Sequence, residues 1–255
     1  MKRIWFVVLF CAGLVSPLLA QYNNTYVHRR PIIIKDDGFG KRINFGFTFA
    51  PTFDWMYPKT EDYKRNGVGM GMRYGINLNV NLTPRKNFYV STGVFGENLT
   101  GKLVFNDLVR IPVECITFSG TETRRTYRPM YLTIPVGVTL KSNSFDNFII
   151  CGNAGLYNSF LLRAFNEDTY KFGEEFWTRQ KNPSSEAAIM RESVYGGLGF
   201  EYSVNKDFRA GFMVNYVYSF SNYFKGKGKA PNNLTGFDQK AHIGYLELVF
   251  NINFF

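Results

Sequence analysis

The stretch Asn66–Thr83, NGVGMGMRYGINLNVNLT, alternates with period two along its whole length. Val68, Met70, Met72, Tyr74, Ile76, Leu78, Val80 and Leu82 share one parity, and Gly67, Gly69, Gly71, Arg73, Gly75, Asn77, Asn79 and Asn81 share the other. A strand sends successive side chains to opposite faces, so one face is wholly apolar and the other is glycine, asparagine and a single arginine. A soluble sandwich turns large apolar residues inward and long charged ones outward. Small and amide residues opposite a greasy face, on a strand longer than the usual run of about six residues, predict a barrel in lipid with a narrow polar lumen.

Outward from that stretch, the same pattern recurs. Ile43 to Phe53 sets Ile43, Phe45, Phe47 and Phe49 against Asn44, Gly46, Thr48 and Ala50, and a polar loop from Asp54 to Arg65 joins it to the opening strand. A turn at Thr83-Pro84-Arg85-Lys86-Asn87 leads to a third strand through Phe88 and Val90 to Phe95, whose facing is blurred by Thr92 and Gly93. After a long connection, Glu97 to Thr126, a fourth strand carries Met130, Leu132, Ile134, Val136, Val138 and Leu140 on one parity. Pro135 inside it forfeits a ladder hydrogen bond, which predicts a bulge nearby. A polar turn from Lys141 to Asn147 precedes a fifth strand, Phe148 to about Leu162, and then a charged loop, about Arg163 to Arg191.

The sixth strand sets Val194, Leu198, Phe200, Tyr202 and Val204 against Tyr195, Gly197, Gly199, Glu201 and Ser203. Asn205-Lys206-Asp207 turns the chain into the seventh, where Phe208, Ala210, Phe212, Val214, Tyr216 and Tyr218 oppose Arg209, Gly211, Met213, Asn215 and Val217. A loop from Asn222 to Gln239 leads to the last strand, His242 to Phe255, with Leu246, Leu248, Phe250, Ile252 and Phe254 opposite Glu247, Asn251 and Asn253. Eight strands with long and short connections in alternation predict an all-β, antiparallel, up-and-down transmembrane barrel over residues 43–255. Its short turns and both ends face the periplasm, and its long loops face outward.

The beginning of the chain sets the compartment. Lys2 and Arg3 precede an apolar run from Ile4 to Val15, and Ser16-Pro17-Leu18-Leu19-Ala20 offers a cleavage site, so residues 1–20 read as a secretory signal peptide. The run is too short for an anchor of about twenty apolar residues. Phe10 before Cys11 lacks the small side chain that lipoprotein processing requires. Residues 21–42 form a basic arm with His28, Arg29, Arg30, Lys41 and Arg42; it reads either as an idle periplasmic lead-in or as a docking segment for a periplasmic partner.

Composition narrows the class further. The formal charge of +10 is spread along the chain without a dense Lys/Arg block, which together with the export signal speaks against nucleic acid. Aromatic residues make up 18% of the chain, with 26 Phe and 16 Tyr, an excess that suits lipid-facing surface and interfacial girdles. Cys115 and Cys151 are far apart in segments of different character, and nothing in the sequence pairs them.

Eight strands close a barrel only wide enough for side chains to fill, so an open pore is not expected. The inward parity offers Arg73, Glu201, Arg209 and Glu247. Glu201 and Arg209 flank one tight turn and become neighbours across that hairpin; Arg73 and Glu247 both fall near mid-strand. Two readings stand: a salt-bridged plug that fills the lumen, or a proton or ion relay. Catalysis has little to stand on. His242 lies at the loop end of the last strand on the lipid-facing parity, followed by Ile243 and Gly244 with no serine two residues on. No Cys/His/Asp spacing suggests a metal, and the glycines of 67–71 run on as strand with no helix, so they are no phosphate loop. Neither a cofactor nor a small-molecule substrate is expected.

In the fourth strand, Tyr131-Leu132-Thr133-Ile134-Pro135-Val136-Gly137-Val138 resembles the Tyr-Leu-x-Ile-Pro strand of the PorT-type outer-membrane barrels of Bacteroidota. Asn153-Ala154-Gly155-Leu156-Tyr157, Gly197-Leu198-Gly199-Phe200-Glu201-Tyr202 and Asn215-Tyr216-Val217-Tyr218-Ser219-Phe220-Ser221-Asn222 resemble later strands of that family in the same order. One departure is at the end, where Phe254 is in phase with the apolar residues and Phe255 is offset by one. The resemblance implies a non-enzymatic component of the type IX secretion system, a scaffold or maturation factor for cargo with C-terminal signals. Outer-membrane lipid and other secretion components would be its partners, the latter met through the loops or the arm. A surface ligand-binding barrel with no part in secretion is the alternative.

Overall fold

The computed structural model describes residues 43–59, 63–82, 87–110, 117–172, 175–181, 186–205, 208–225 and 240–254. The expected signal peptide, the arm with His28, Arg29, Arg30, Lys41 and Arg42, Cys115 and Phe255 lie outside these. The strands are β1 (Ile43–Pro58), β2 (Lys64–Arg65), β3 (Gly69–Asn81), β4 (Phe88–Asn98), β5 (Gly101–Arg110), β6 (Thr117–Lys141), β7 (Phe148–Phe172), β8 (Glu175–Lys181), β9 (Met190–Ser203), β10 (Phe208–Ser219) and β11 (Ala241–Phe254).

Eight of them close on themselves in the order β1-β3-β4-β6-β7-β9-β10-β11, every pairing antiparallel, with β1 against β11 as the seam. The seam runs from Phe45 opposite Phe254 to Pro58 opposite Ala241, so the two ends of the barrel are zipped over its whole height. Strands β2, β5 and β8 stand outside the ring: β5 pairs with the prolonged end of β6, β8 with that of β7, and the short β2 with β5.

In β1 and β3 the alternation of the sequence is realised without slip. In β1 the residues Ile43, Phe45, Phe47 and Phe49 are exposed and Asn44, Thr48 and Ala50 are buried; in β3 Met70, Met72, Tyr74 and Ile76 are exposed and Arg73 is buried. The facing of β4 is settled by burial: Tyr89, Phe95 and Glu97 point into the lumen and Val94 points out. The outer wall is thus a continuous apolar belt, far larger than the patches a soluble monomer exposes. From Ile43 to Phe53 the strand rises at ~3.3 Å per residue, which after a barrel tilt gives a belt of about 25 Å, the height of a hydrocarbon layer. Aromatic side chains cluster at its two rims, Trp55, Tyr57, Tyr216 and Tyr218 at the hairpin end, and Phe45, Phe208 and Phe254 at the turn end.

Four expectations need correction. The segments read as loops, Glu97 to Thr126 and Arg163 to Arg191, are largely strand: β6 and β7 pair continuously from Lys141 opposite Cys151 up to Thr123 opposite Tyr170, and β5 and β8 flank them. Their charged composition fits a sheet that has left the lipid, where outward faces need not be apolar. Likewise β1 continues past Phe53 to Pro58. Lys141 belongs to β6 rather than to the following turn, whose tight point is Asp146 with φ 55°, a left-handed position that Asp tolerates better than most residues. There is no bulge at Pro135, which stays in register opposite Tyr157; its carbonyl accepts from Thr92 Oγ1 at 2.9 Å. The irregularity falls at Met130/Tyr131, where Leu162 of β7 is left unpaired.

Candidate functional site

The inward residues form a column of charged clusters. At the turn end, Lys141 Nζ donates to both oxygens of Glu201 at 2.7 Å, Arg209 Nη1 lies 3.6 Å from Glu201 Oε2, and Asn253 Nδ2 donates to Oε1 at 3.2 Å. Glu201 and Arg209 therefore meet across their hairpin, yet the closer partner of Glu201 is Lys141, which ends β6 and does not lie in the turn expected from the sequence. The Lys141 ammonium also sits 4.7 Å above the Tyr89 ring.

At mid-height Arg73 and Glu247 come together. Arg73 Nε and Nη2 donate to the two carboxylate oxygens of Glu247, both at 2.9 Å. Tyr157 Oη and Asn215 Nδ2 each donate to Glu247 Oε1 at 2.7 Å. The guanidinium lies between the Phe95 and Tyr157 rings, 4.7 Å from each, and Tyr157 stacks on Tyr195 at 4.2 Å. Small residues make this possible: a Cβ added at Gly155 would come 2.5 Å from Gly137 Cα and 2.9 Å from Tyr195 Cε1. The ring occupies the space that two missing side chains leave.

Adjoining this cluster toward the hairpin end is a second, centred on Glu97, which is fully buried. Arg191 Nη2 and Tyr245 Oη both donate to its carboxylate, Thr133 Oγ1 donates at 2.8 Å, and Arg191 also reaches Ser159 Oγ at 3.0 Å. Arg191 lies over the Tyr131 ring at 4.7 Å and the Tyr245 ring at 5.6 Å. Asp54 Oδ2 nearby accepts from the Thr100 backbone at 2.7 Å. Above this come Met56, Leu99, Leu103, Tyr127, Tyr223, Phe224 and Ile243, packed together as an apolar layer. Burial pushes the Tyr223 hydroxyl well above its ordinary range. Higher still, between the extended hairpins, Arg125 donates to both oxygens of Asp168 at 2.5 and 2.8 Å and reaches Glu186 at 3.4 Å.

Between the turn-end and mid-height clusters lies a cavity of about 70 Å³ lined by Asn77, Ser91, Asn153, Asn215 and Asn251 among others. At ~10–15 Å³ for each water position, that volume suits on the order of five waters. The amide oxygens of Asn153, Asn215 and Asn251 have no protein partner, so the lining favours water over hydrocarbon. The remaining candidates stand apart. His242 is covered although it lies on the outward parity: its ring stacks on Tyr218 and its Nδ1 is 3.0 Å from the Ser221 carbonyl. Cys151 is a free, buried thiol. No His/Cys/Asp/Glu group fit to hold a metal occurs among the described residues.

Of the buried charged residues, Arg73, Glu247, Glu201 and Arg209 are marked by the sequence pattern, whereas Lys141, Glu97, Arg191, Asp54, Arg125 and Asp168 are not. Parity held the missing signal for two of them. Glu97 is two residues beyond inward Phe95, and Arg191 is four before inward Tyr195, so extending the strands by one and two pleat repeats respectively brings both into the lumen.

No protein-family model and no curated protein matches this chain. Several solved structures are similar to it at low identity. Neisserial surface protein A is 10% identical with a TM-score of 0.41, covering 84% of this chain and 97% of that one. Ail, the attachment invasion locus protein of Yersinia pestis, is 11% identical with a TM-score of 0.35, covering 84% and 100%. The outer membrane protease OmpT from Escherichia coli is 8% identical with a TM-score of 0.41, covering 83% and 96%.

Proposed function

We propose that this chain is an integral outer-membrane barrel that works without catalysis, as a scaffold or maturation factor in type IX secretion of proteins with C-terminal signals. Its turns and both strand ends face the periplasm, and the extended hairpins of β5 to β8 stand outside. The observation that carries the mechanical part is the bidentate Arg73–Glu247 pair spanning the lumen under Tyr157, with the Glu97–Arg191 cluster directly beyond it. Stacked charge pairs with satisfied acceptors leave no route for a folded cargo, so Arg73, Glu201, Arg209 and Glu247 act as a structural plug. A proton or ion relay through the same groups is less favoured, because the apolar layer of Leu99, Leu103 and Ile243 lies above them. The secretion assignment is supported by the likeness of Tyr131 to Val138 and the strands after it to PorT-type barrels. Partners then meet the rims: secretion components at the hairpin tips, or at the basic arm with His28, Arg29, Arg30, Lys41 and Arg42.

The test is deletion of the gene followed by assay of cargo with C-terminal signals. Loss of that cargo from the cell surface, restored by the full chain, is expected; unchanged export sinks the secretion assignment. A surface ligand-binding role is the second reading, favoured by the four-stranded sheet that β5, β6, β7 and β8 raise above the belt. Crosslinking separates the two, since the first predicts recovery of other secretion components and the second recovery of an external ligand.

A further inference from the structure

The outward face of the raised sheet changes character where the apolar belt ends. Lys64 of β2, Lys102 of β5, Arg124 and Arg128 of β6 and Arg163 of β7 all project from it, and Arg65 joins them at its edge. The pairing places them side by side: Lys64 is opposite Val104, which is opposite Arg124; Lys102 is opposite Thr126; Arg128 is opposite Phe165; and Met130 is opposite Arg163. Against these six cations, the described side chains on the same face supply two carboxylates, Glu122 at 2.8 Å from Arg124 and Glu167 at 3.1 Å from Arg128. The face keeps a positive surplus after both pairs are counted.

Its height is fixed by contacts with the belt itself. The Arg65 guanidinium lies 5.7 Å from the ring of Trp55, a member of the hairpin-end aromatic rim, and Lys102 Nζ donates at 3.2 Å to the carbonyl of Val68, which is itself exposed and apolar. Arg163 follows exposed Leu162 directly and lies 4.0 Å from the Phe165 ring. The cations therefore begin within one residue of the last lipid-facing side chains, at the depth where headgroups meet the hydrocarbon. A basic cluster at that depth experiences the anionic charge of the leaflet and can place guanidinium forks on phosphate oxygens.

We propose that the outward face of β2, β5, β6 and β7 just beyond the belt binds the phosphate groups of lipid headgroups in the outer leaflet. This rests on the reading that the hairpins stand outside the cell. The surface holds a small number of phosphorylated lipids against one side of the barrel and thereby fixes the tilt of the raised sheet. The opposite side, β9 to β11, bears no comparable cluster among its described residues; at that height it presents Tyr216, Tyr218 and Glu192.

The full-length protein is folded into phosphatidylcholine vesicles with or without bisphosphorylated lipid A, extracted in mild detergent, and examined by native mass spectrometry. Retention of lipid A is expected, with dephosphorylated lipid A washed away. The variant Lys64→Gln, Lys102→Gln, Arg128→Gln, Arg163→Gln should retain about tenfold less, since each basic residue near an anionic surface contributes to attraction. Equal retention of dephosphorylated lipid A, or no retention by the unsubstituted protein, overturns the proposal, and neither result depends on the variant folding. A heat-modifiable variant that retains lipid A like the unsubstituted protein also overturns it. So does retention of inorganic phosphate, offered in place of lipid A, to the same extent, because the site would then be for a free anion. Protease applied to intact cells checks the orientation separately: cleavage of the 163–191 hairpin only from the periplasmic side contradicts the orientation while leaving lipid retention intact.

Discussion

Glu247 is the residue on which the lumen converges. Its carboxylate accepts from Arg73 twice and from Tyr157 and Asn215 once each, and all four side chains are buried. Removing it leaves a buried guanidinium uncompensated, and breaking a buried pair in this way costs about 3–5 kcal/mol. Glu247→Ala should therefore lower the urea midpoint of the barrel in lipid vesicles sharply, whereas Arg73→Met with Glu247→Leu, which removes both charges and keeps volume, should recover most of the loss. A double variant no more stable than Glu247→Ala would show that the pair contributes through more than its charge. This site was legible in the sequence because Arg73 and Glu247 sit mid-strand, where parity alone decides facing. Lys141, Glu97 and Arg191 sit at strand ends, where polar neighbours resemble turns and loops, so composition concealed a facing that only the pairing reveals.

At the scale of elements, the glycine pair Gly137 and Gly155 sets how close β6 and β7 lie to Tyr195. Gly155→Val drives a branched side chain into the Tyr195 ring and the β6 backbone. The expected result is a lower folding yield in vesicles and loss of near-ultraviolet circular dichroism from the Tyr157–Tyr195 stack, with the far-ultraviolet strand signal kept; an unchanged near-ultraviolet spectrum would contradict the packing described. The raised hairpins depend on a different element, the Arg125–Asp168 pair flanked by the Phe105 and Tyr127 rings. Arg125→Met should speed proteolytic cutting within 163–191 several-fold while the ring stays heat-modifiable, because the hairpin is held by that buried contact and the barrel is not. Period-two patterning disclosed the eight ring strands. It could not disclose β5 and β8, since a sheet standing in water on its outer face no longer repeats the apolar parity that marks lipid contact.

For the whole molecule, the arrangement sets a filled interior between two rims. The ring is closed by a seam of β1 against β11, its outside matches a hydrocarbon layer, and its inside holds a turn-end charge cluster, a cavity with room for several waters, two adjoining charge clusters and an apolar layer above them. Such a body presents surfaces but passes nothing large, in keeping with the scaffold role proposed above. The measurement that tests this most directly is conductance of the full chain in a planar lipid bilayer, beside the Arg73→Ser, Glu247→Ser, Arg191→Ser triple variant. No resolvable channel is expected for the natural sequence, and none for the triple variant, in which the apolar layer of Leu99, Leu103 and Ile243 still closes the lumen. A steady ohmic channel in the natural sequence would show instead that the lumen is open.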